Sequence, residues 1–348
     1  MTTAESAPTA TPDPYAGRPV RWGVAATGGI ARSFAADLPL LGGSELVAVG
    51  SRSAERAEAF AAGLPVAGGA PRPRAHGSYA ELFADPDVDV VYVATPHAQH
   101  AEVALAAIEA GKHVLVEKAF TLTGAEAREV VAAARGRGVF ACEAMWARWQ
   151  PGVLRLRELV AAGVVGEVRH VSASFGFALP FDPAHRLYDP ARGGGALLDL
   201  GIYPLSFASM LLGVPQEVRA LGVVGATGVD EAVTWTSQHA GGALATGLAT
   251  LRASVPAAAV VAGSEGRIVL PELFFRPPVL RVERDGAEPE TVEVTWEGGG
   301  YQFEAAEVER CLRAGLVESP AMPLDETVAL MDAMDGIRRQ LGVRYPGE

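Results

Sequence analysis

The stretch from Val20 to Leu38, VRWGVAATGGIARSFAADL, decides the fold of this chain. It begins as a short apolar strand, turns at Thr27-Gly28-Gly29, and continues from Ile30 with the apolar spacing of a helix. Glycines at such a turn let a ligand approach the backbone closely. The helix that follows directs its free N–H groups and the positive end of its dipole toward the turn, which favours a bound anion. We therefore predict that Thr27, Gly28, Gly29 and Ile30 bind the pyrophosphate of a dinucleotide.

The same turn matches the dinucleotide fingerprint G-x-G-x-x-G/A only loosely. Its three small positions fall on Ala26, Gly28 and Ala31, so alanine replaces the first glycine. Similar glycine motifs also occur in ordinary strand–turn–helix connections, and the motif alone does not settle the function. The rest of the chain carries the argument further.

Length and composition predict a globular protein of two domains. The chain has 348 residues, of which 49% are hydrophobic and 20% charged, and a net charge of -12 that argues against nucleic-acid or anionic-membrane partners. No uninterrupted apolar run has the length of a membrane helix, about 18 residues. Two cysteines without metal-ligand spacing indicate no metal site and a reducing, cytoplasmic location. Residues 1–17, rich in Ala, Thr and Pro, predict a disordered tail.

Residues 18–145 alternate between strand and helix patterns, which predicts a doubly wound parallel sheet of the Rossmann type. In such a sheet, ligands bind at the carboxyl ends of the strands. The apolar run DVDVVYVA ends at Thr95-Pro96-His97, and the next strand pattern ends at Glu117-Lys118. We therefore expect these residues, together with His100, to lie beside the cofactor.

The second strand pattern, Glu45–Gly50, indicates which cofactor binds. NAD-binding domains usually place a carboxylate after this strand to accept the ribose 2′-OH. Here Ser51 and Arg52 follow the strand, and Arg56 lies one helical turn further on. A hydroxyl and guanidinium groups suit a 2′-phosphate, so NADP(H) is the expected cofactor and NAD the alternative. The competing interpretation is an exposed arginine that merely opens a helix.

Residues 146–348 predict a second α/β domain that binds substrate and forms the oligomer. Period-2 segments between about 217 and 296 predict an open, largely antiparallel sheet of about six strands. Two helices near 302–314 and 324–341 end the chain and can pack back on the first domain. Because two helices are too few to cover both domains, we expect a homodimer or a dimer of dimers through the sheet.

Three places in the sequence carry candidate chemistry. Lys118 ends a strand beside the cofactor, although a solvated loop lysine would look the same. Asp199 and Tyr203 are four residues apart, and on a helix they would share one face, either for catalysis or as a structural pair. Trp146, Arg148, Phe177 and Arg186 could form the walls of a substrate pocket, or could be core and surface residues.

The order of motifs resembles one known family. AxGxxA, SRS, TPHAQH, VLVEKAF and GGGALLDLGIYP follow each other as in the glucose–fructose oxidoreductase / inositol dehydrogenase / MocA family, over essentially the whole chain after the tail. EAMWARW and RLYDPARGGGALLDLGIY resemble its branch of dimeric dihydrodiol dehydrogenases and NADP-linked xylose dehydrogenases. The resemblance implies a Rossmann domain followed by an open-faced α/β domain that usually forms the oligomer. Two departures occur, Ala26 for the fingerprint glycine and Ala119 for the proline of the Glu-Lys-Pro motif.

The resemblance also implies a reaction. We expect hydride transfer between NADP(H) and a hydroxyl-bearing carbon of a sugar, polyol or trans-dihydrodiol, with small molecules as the only substrates. Tyr203 is the expected acid/base, with Lys118 lowering its pKa from an ordinary value of about 10 and Asp199 orienting Tyr203 or the substrate hydroxyl. Trp146, Arg148, Phe177, Arg186, Asp199 and Tyr203 are the expected substrate contacts. The alternatives are a ketosugar reductase of a biosynthetic pathway and a non-catalytic NADP-binding sensor.

Overall fold

A computed structural model describes residues 13–65 and 71–348. The predicted tail therefore lies mostly outside the described residues. In its last part, residues 14–17 form turns, and the side chain of Tyr15 is buried. Arg313 donates to the Tyr15 carbonyl at 2.9 Å and pairs with Asp13. For these five residues the expectation of disorder is wrong, because an aromatic side chain and an arginine hold them against the core.

The first domain is a parallel α/β sheet, as the alternating patterns predict. Its six strands have the order β3-β2-β1-β4-β5-β6, which is the doubly wound order with its switch point between β1 and β4. Helices on both faces explain why the central strands are buried on both sides. The elements are β1 Val20–Ala25, α1 Gly29–Asp37, β2 Ser44–Gly50, α2 Ala54–Ala62, β3 Arg74–His76, α3 Tyr79–Ala84, β4 Val90–Val93, α4 His100–Glu109, β5 His113–Glu117, α5 Gly124–Arg137 and β6 Ala141–Ala144.

The second domain is built on an eight-stranded sheet, not on the six strands that the sequence suggested. The sheet has the order β14-β13-β12-β11-β7-β10-β9-β8, and every neighbouring pair is antiparallel except β7 with β10. Residues 217–293 contribute seven strands, β8 to β14, and β7 joins them at the centre of the sheet between β11 and β10. The elements are α6 Pro151–Ala161, β7 Val168–Gly176, α7 Ile202–Leu212, β8 Glu217–Val224, β9 Asp230–Gln238, β10 Leu244–Thr250, β11 Ala259–Gly263, β12 Gly266–Leu270, β13 Val279–Arg284, β14 Glu290–Glu293, α8 Gln302–Arg313 and α9 Leu324–Leu341.

The last two helices connect the domains. α9 packs on β8 of the second sheet and also on α5 of the first domain. Arg135 of α5 pairs with Asp325 at 2.8 Å, and the backbone N–H of Gly124 donates to the Asp335 carboxylate at 2.9 Å. The two sheets are thereby held in a fixed relation, with the carboxyl ends of β4 and β5 facing the helix that begins at Ala196.

That helix is the most apolar in the described part of the chain. The stretch Pro190–Leu212, which contains this helix, has the length and mean hydropathy of a membrane span, but it is mostly buried inside the protein. It begins with a π-helical turn, Leu197–Gly201, and continues as α7. π-Turns are rare in proteins and are frequent at functional sites.

Candidate active site

The turn between β1 and α1 has the geometry of a phosphate site. Gly28 precedes α1 in an extended conformation, and no side chain caps the first N–H groups of the helix. A Cβ added at Gly28 or Gly29 would meet no protein atom within 4 Å, so the space in front of the helix is open. Uncapped N–H groups at the positive end of a helix bind phosphate well. Thr95 lies at the neighbouring switch point, and its buried hydroxyl has no hydrogen-bond partner among the described residues.

Ala26 occupies the one position of this turn that favours glycine by its backbone. Its φ is 110°, a conformation that residues with a Cβ rarely adopt. Gly28 has a φ of -77°, so its backbone does not require glycine, and its value lies in the missing side chain. The replacement found in the sequence therefore places strain in the turn but leaves the phosphate space free.

The end of β2 presents positive charge and no carboxylate. Ser51 is buried, and its hydroxyl accepts from the N–H of Ser53 at 3.4 Å. Arg52 and Arg56 are exposed, and no carboxylate lies within ion-pair distance of either in the part of the chain that the structure describes. Both guanidinium groups are thus available to a phosphate, as expected for NADP(H). The residues of the two loops fit a dinucleotide, which would supply the hydride chemistry of a redox reaction.

Lys118 is the centre of the site. At the end of β5, its Nζ donates to the Asp199 carboxylate at 3.1 Å and to the Asp199 carbonyl at 2.9 Å. It also lies 4.9 Å from the centre of the Tyr203 ring. Burial lowers the pKa of Lys118, but Asp199, Tyr203 and Glu117 together outweigh burial and hold that pKa above its ordinary value. The peptide bond between Lys118 and Ala119 is cis.

Asp199 is a buried carboxylate held by two cations. Arg186 donates to both of its oxygens, at 3.2 Å and 3.1 Å, and Lys118 donates to one of them. Burial raises the pKa of Asp199, but Lys118 and Arg186 together lower it well below its usual range. No hydrogen bond joins Asp199 to Tyr203, so of the two roles expected of Asp199 the direct orientation of Tyr203 is not found, and orientation of the substrate hydroxyl stays a prediction. The π-turn between them and the ammonium group of Lys118 separate the two side chains.

Tyr203 lies in an aromatic pocket. Its hydroxyl accepts a hydrogen bond from Nε1 of Trp146 at 2.8 Å. The rings of Phe175 and Phe275 lie 5.6 Å and 5.3 Å away, and Tyr301 stacks on Trp146 at 4.7 Å. Phe175, Phe275 and Tyr301 were missed in the sequence, because they come from three distant segments and no local pattern joins them.

Burial raises the pKa of Tyr203, opposed by the charge of Lys118 and the hydrogen bond from Trp146. The expectation that Lys118 lowers this pKa toward neutrality is therefore wrong for the protein alone. The physical reason is burial, which raises the pKa of Tyr203 by more than the charge of Lys118 and the hydrogen bond from Trp146 lower it. Tyr203 consequently carries its proton at neutral pH.

Several residues predicted to bind cofactor instead make contacts within the protein. Each nitrogen of the His100 ring faces a backbone carbonyl, of Ala119 at 2.9 Å and of Thr95 at 2.8 Å. His97 faces the carbonyls of Gly193 at 3.0 Å and Lys118 at 3.2 Å, and burial lowers its pKa to about 3. These histidines hold the loops of the site together.

Glu117 also points into the protein. Its carboxylate accepts from the hydroxyl of Tyr92 and from the N–H of Lys118, and burial raises its pKa to about 7. Pro96 is exposed at the same strand end. Glu117 therefore positions the lysine backbone and does not reach the open space before α1.

Two predicted pocket residues differ from expectation. Arg148 is 3% exposed and bonds to Glu326 and Ser206, so its contacts are those of a structural residue and its role as a substrate contact stays a prediction. Phe177 lies just beyond the end of β7 and takes no part in the aromatic contacts of Tyr203; Phe175 occupies that place.

One supporting residue was missed, Asp230, which accepts from the N–H of Leu197 at 2.6 Å where the Asp199 helix begins. Within residues 13–65 and 71–348, no cluster of His, Cys, Asp or Glu could hold a metal ion.

Comparison with known proteins places this site in a family. Residues 20–144 match the family model described as an oxidoreductase family with an NAD-binding Rossmann fold, and residues 153–269 match the GFO/IDH/MocA C-terminal domain. The mouse trans-1,2-dihydrobenzene-1,2-diol dehydrogenase is 38% identical over 344 residues, covering 94% of this chain and 98% of that protein. D-xylose 1-dehydrogenase (NADP(+)) of Hypocrea jecorina is 38% identical over 371 residues, covering 94% and 93%.

Solved structures agree with this assignment. A 3-ketoreductase from Actinomadura kijaniata, in complex with NADP and TDP-benzene, superposes with a TM-score of 0.78 and 28% identity, covering 93% of this chain and 98% of that chain. Levoglucosan dehydrogenase superposes with a TM-score of 0.83, covering 95% and 100%, but at 21% identity it supports the fold alone. The chain belongs to the GFO/IDH/MocA family of oxidoreductases. The resemblance and the fold inferred from its sequence are confirmed.

Proposed function

We propose that this enzyme transfers a hydride between NADP(H) and the hydroxyl-bearing carbon of a sugar, polyol or trans-dihydrodiol. The observation that carries the proposal is the contact of Lys118 with Asp199, 3.1 Å between Nζ and Oδ1, beside the ring of Tyr203. It joins the carboxyl end of a Rossmann strand to the helix of the second domain. A substrate bound there would lie between the open phosphate turn and the aromatic pocket.

Tyr203 is the proposed acid/base. Of Lys118, Asp199 and Tyr203, the tyrosine hydroxyl is the group that can give a proton at neutral pH and accept one when it is ionised at alkaline pH, because Asp199 stays ionised and Lys118 stays protonated. Lys118 holds the substrate oxygen and offsets negative charge on the tyrosine as the proton moves. Asp199, held by Arg186, fixes the position of the ammonium group.

The pocket supports a cyclic, hydroxylated substrate. The rings of Phe175, Phe275, Trp146 and Tyr301 provide flat apolar surfaces, while Arg186 and Lys118 provide donors for hydroxyl groups. Dihydrodiols and pyranoses have ring faces that can pack on such surfaces and hydroxyl groups at the ring edge that can accept from such donors. The names of the relatives, a dihydrodiol dehydrogenase and a xylose dehydrogenase, agree with this range.

A ketosugar reductase is the second candidate. The raised pKa of Tyr203 favours a protonated hydroxyl at neutral pH, which suits proton donation to a carbonyl. The similarity to a 3-ketoreductase points the same way. A sensor without turnover would have no need of the Lys118–Asp199 pair.

The test is turnover with a panel of aldoses, polyols, dihydrodiols and ketosugars, followed by the absorbance of the reduced nicotinamide in both directions. We expect activity on at least one class and tighter binding of NADP(H) than of NAD(H). Arg52→Ala should weaken NADP(H) selectively, whereas Arg344→Ala, at another exposed arginine, should change neither cofactor. Absence of turnover with the whole panel despite cofactor binding would favour the sensor, and equal dissociation constants for the two cofactors would contradict the role of Arg52.

We also propose a homodimer, or a dimer of dimers, through the eight-stranded sheet. The sheet exposes apolar side chains on β8 and β10, the two strands that flank β9, including Leu221 at 78% exposure, Val223 at 41% and Leu244 at 44%. Such a face supports association between copies. Sedimentation at micromolar concentration should give at least twice the 36.1 kDa chain mass, and a monomer would contradict the proposal.

The free, buried thiols of Cys142 and Cys311 support a reducing compartment, and we propose the cytoplasm.

A further inference from the structure

Trp146 has a contact that a simple pocket wall would not need. It opens the short 3₁₀ turn Trp146–Trp149 after β6 and is 7% exposed. One face of its ring stacks on Tyr301, with ring centres 4.7 Å apart. Its edge points at Tyr203, and Nε1 lies 2.8 Å from the hydroxyl oxygen. The ring is therefore fixed by stacking while its N–H is aimed at the proposed acid/base.

This hydrogen bond can form in only one direction, with the indole as donor. An indole N–H donates and cannot accept, so the tyrosine oxygen must be the acceptor. The hydroxyl proton of Tyr203 therefore has to point elsewhere. Among the described residues the Tyr203 hydroxyl makes no second hydrogen bond, which leaves its proton free for a substrate oxygen.

We propose that the N–H of Trp146 directs the Tyr203 hydroxyl toward the substrate and stabilises its deprotonated form, which makes Trp146 a positioning residue of the reaction. The proposal rests on the acid/base role of Tyr203 given above. In oxidation, the substrate carbon loses a hydride to NADP⁺ and its hydroxyl loses a proton to the Tyr203 oxygen, leaving a carbonyl. Hydrogen bonds to a charged acceptor are stronger than those to a neutral one, so the Trp146 bond strengthens when the tyrosine is ionised.

Other charged and titratable groups around Tyr203 act from different directions. Lys118 lies over the ring face, and Asp199 and Glu117 contact that lysine. Tyr301 stacks on the far side of Trp146, where Arg276 lies 6.0 Å from the indole ring. Arg186 reaches the site only through Asp199. Since Trp146 is the hydroxyl's only hydrogen-bond partner in the described chain, its removal should have an effect that these groups do not replace.

The chain offers a matched pair of tryptophans. Trp149 lies in the same 3₁₀ turn, is 6% exposed, and its indole N–H has no acceptor among the described residues. Trp146→Phe keeps an aromatic ring against Tyr301 but removes the N–H. Trp149→Phe makes the same chemical change at a position without the hydrogen bond.

The experiment is the pH–rate profile for oxidation of the best substrate by the parent and both variants. In Trp146→Phe we expect the alkaline rise in kcat to move to higher pH by about one to two units, with a roughly ten- to hundredfold loss at neutral pH that is recovered at high pH. The KM should change less than kcat, because the ring remains. Trp149→Phe should leave the profile at its parental position. An unmoved profile in Trp146→Phe would overturn the proposal.

The double variant Trp146→Phe/Tyr203→Phe separates this inference from the proposed function. Without the tyrosine hydroxyl, loss of the indole N–H should cause no further decrease. If Tyr203→Phe is inactive while Trp146→Phe behaves as the parent, the positioning role fails and the acid/base role stands. If Tyr203→Phe keeps parental turnover, the acid/base role itself fails.

A second measurement does not depend on the folding of Trp146→Phe. The chain has five tryptophans, so ¹⁵N-tryptophan labelling gives five indole N–H signals. In Tyr203→Phe, one of these should shift strongly because its acceptor is gone, and in the parent the same signal should follow the alkaline titration. Indole signals that are identical in parent and Tyr203→Phe would contradict the hydrogen bond on which the inference depends.

Discussion

Substitution of Arg148, which pairs with the carboxylate of Glu326, tests whether this arginine stabilises the fold or binds substrate. Nε of Arg148 donates to the Ser206 hydroxyl at 3.1 Å, and its terminal nitrogens reach the Ser206 carbonyl at 3.2 Å and the Glu326 carboxylate at 3.1 Å. Arg148→Met keeps much of the side-chain volume but removes the charge and all of these bonds. We expect a clear loss of stability with little change in KM, because the guanidinium nitrogens are already bound by Ser206, Glu326 and the Ala321 carbonyl.

The contacts of Glu326 determine how much stability Arg148→Met should lose. Removing one partner of a buried ion pair costs about 3–5 kcal/mol, chiefly because the other charge is left buried without compensation. The side chain of Glu326 is 17% exposed and keeps a hydrogen bond from Ser209 at 2.7 Å, so water and this hydroxyl relieve part of the cost. We therefore expect about 3 kcal/mol, at the lower end of that range.

The assay is denaturant unfolding followed by circular dichroism, together with steady-state kinetics at a temperature where the variant is folded. The double variant Arg148→Met/Glu326→Leu is the control, since removing both charges should recover part of the lost stability. A tenfold or larger increase in KM with unchanged unfolding would refute the structural role and restore Arg148 to the substrate pocket.

Two further changes test the turn before α1 and the support of the Asp199 helix. Ala26 has a φ of 110°, which costs about 1–3 kcal/mol for a residue with a Cβ, and glycine adds about 0.5–1 kcal/mol of unfolded-state entropy, so Ala26→Gly should stabilise the protein by about 1 kcal/mol. Thermal unfolding with no gain would contradict this strain. Burial raises the pKa of Asp230 to about 7, so this group's contribution to stability is full below about pH 4 and is lost as pH rises toward 7. Asp230→Asn does not titrate, and its stability relative to the parent should therefore improve between pH 5 and pH 7; a constant difference would contradict the shifted pKa.

The first domain could be predicted well from the sequence because its evidence is local. Alternating strand and helix patterns and polar residues at strand ends are each contained within short windows, and the rules for parallel sheets then bring Thr95 and Lys118 to one edge. The pairing of Lys118 with Asp199 was less accessible, since 81 residues separate them. The family resemblance placed Lys118, Asp199 and Tyr203 in one site, but the sequence did not predict the ion pair between Lys118 and Asp199.

The parts that sequence reasoning missed depend on contacts between distant segments. Arg148 and Arg186 look alike in the sequence, but one is buried against Glu326 and the other lies at the surface beside Asp199. The aromatic pocket is similar, because Phe175 belongs to β7 and Phe275 lies between β12 and β13. The pKa of Tyr203 depends chiefly on how deeply its ring is buried, which no spacing rule reveals.

The central claim, that Tyr203 and Lys118 move the proton as a unit, is tested most directly by a double-mutant cycle on turnover. Tyr203→Phe keeps the ring and removes the hydroxyl, and Lys118→Met keeps the chain length and removes the charge. Each should lower kcat by roughly 10²–10⁴-fold, and the double variant should be little worse than either, because residues that act together lose activity non-additively. NADP(H) titration serves as the control for folding and should change little in Tyr203→Phe. Near-parental turnover in Tyr203→Phe, or losses that simply multiply in the double variant, would contradict the account.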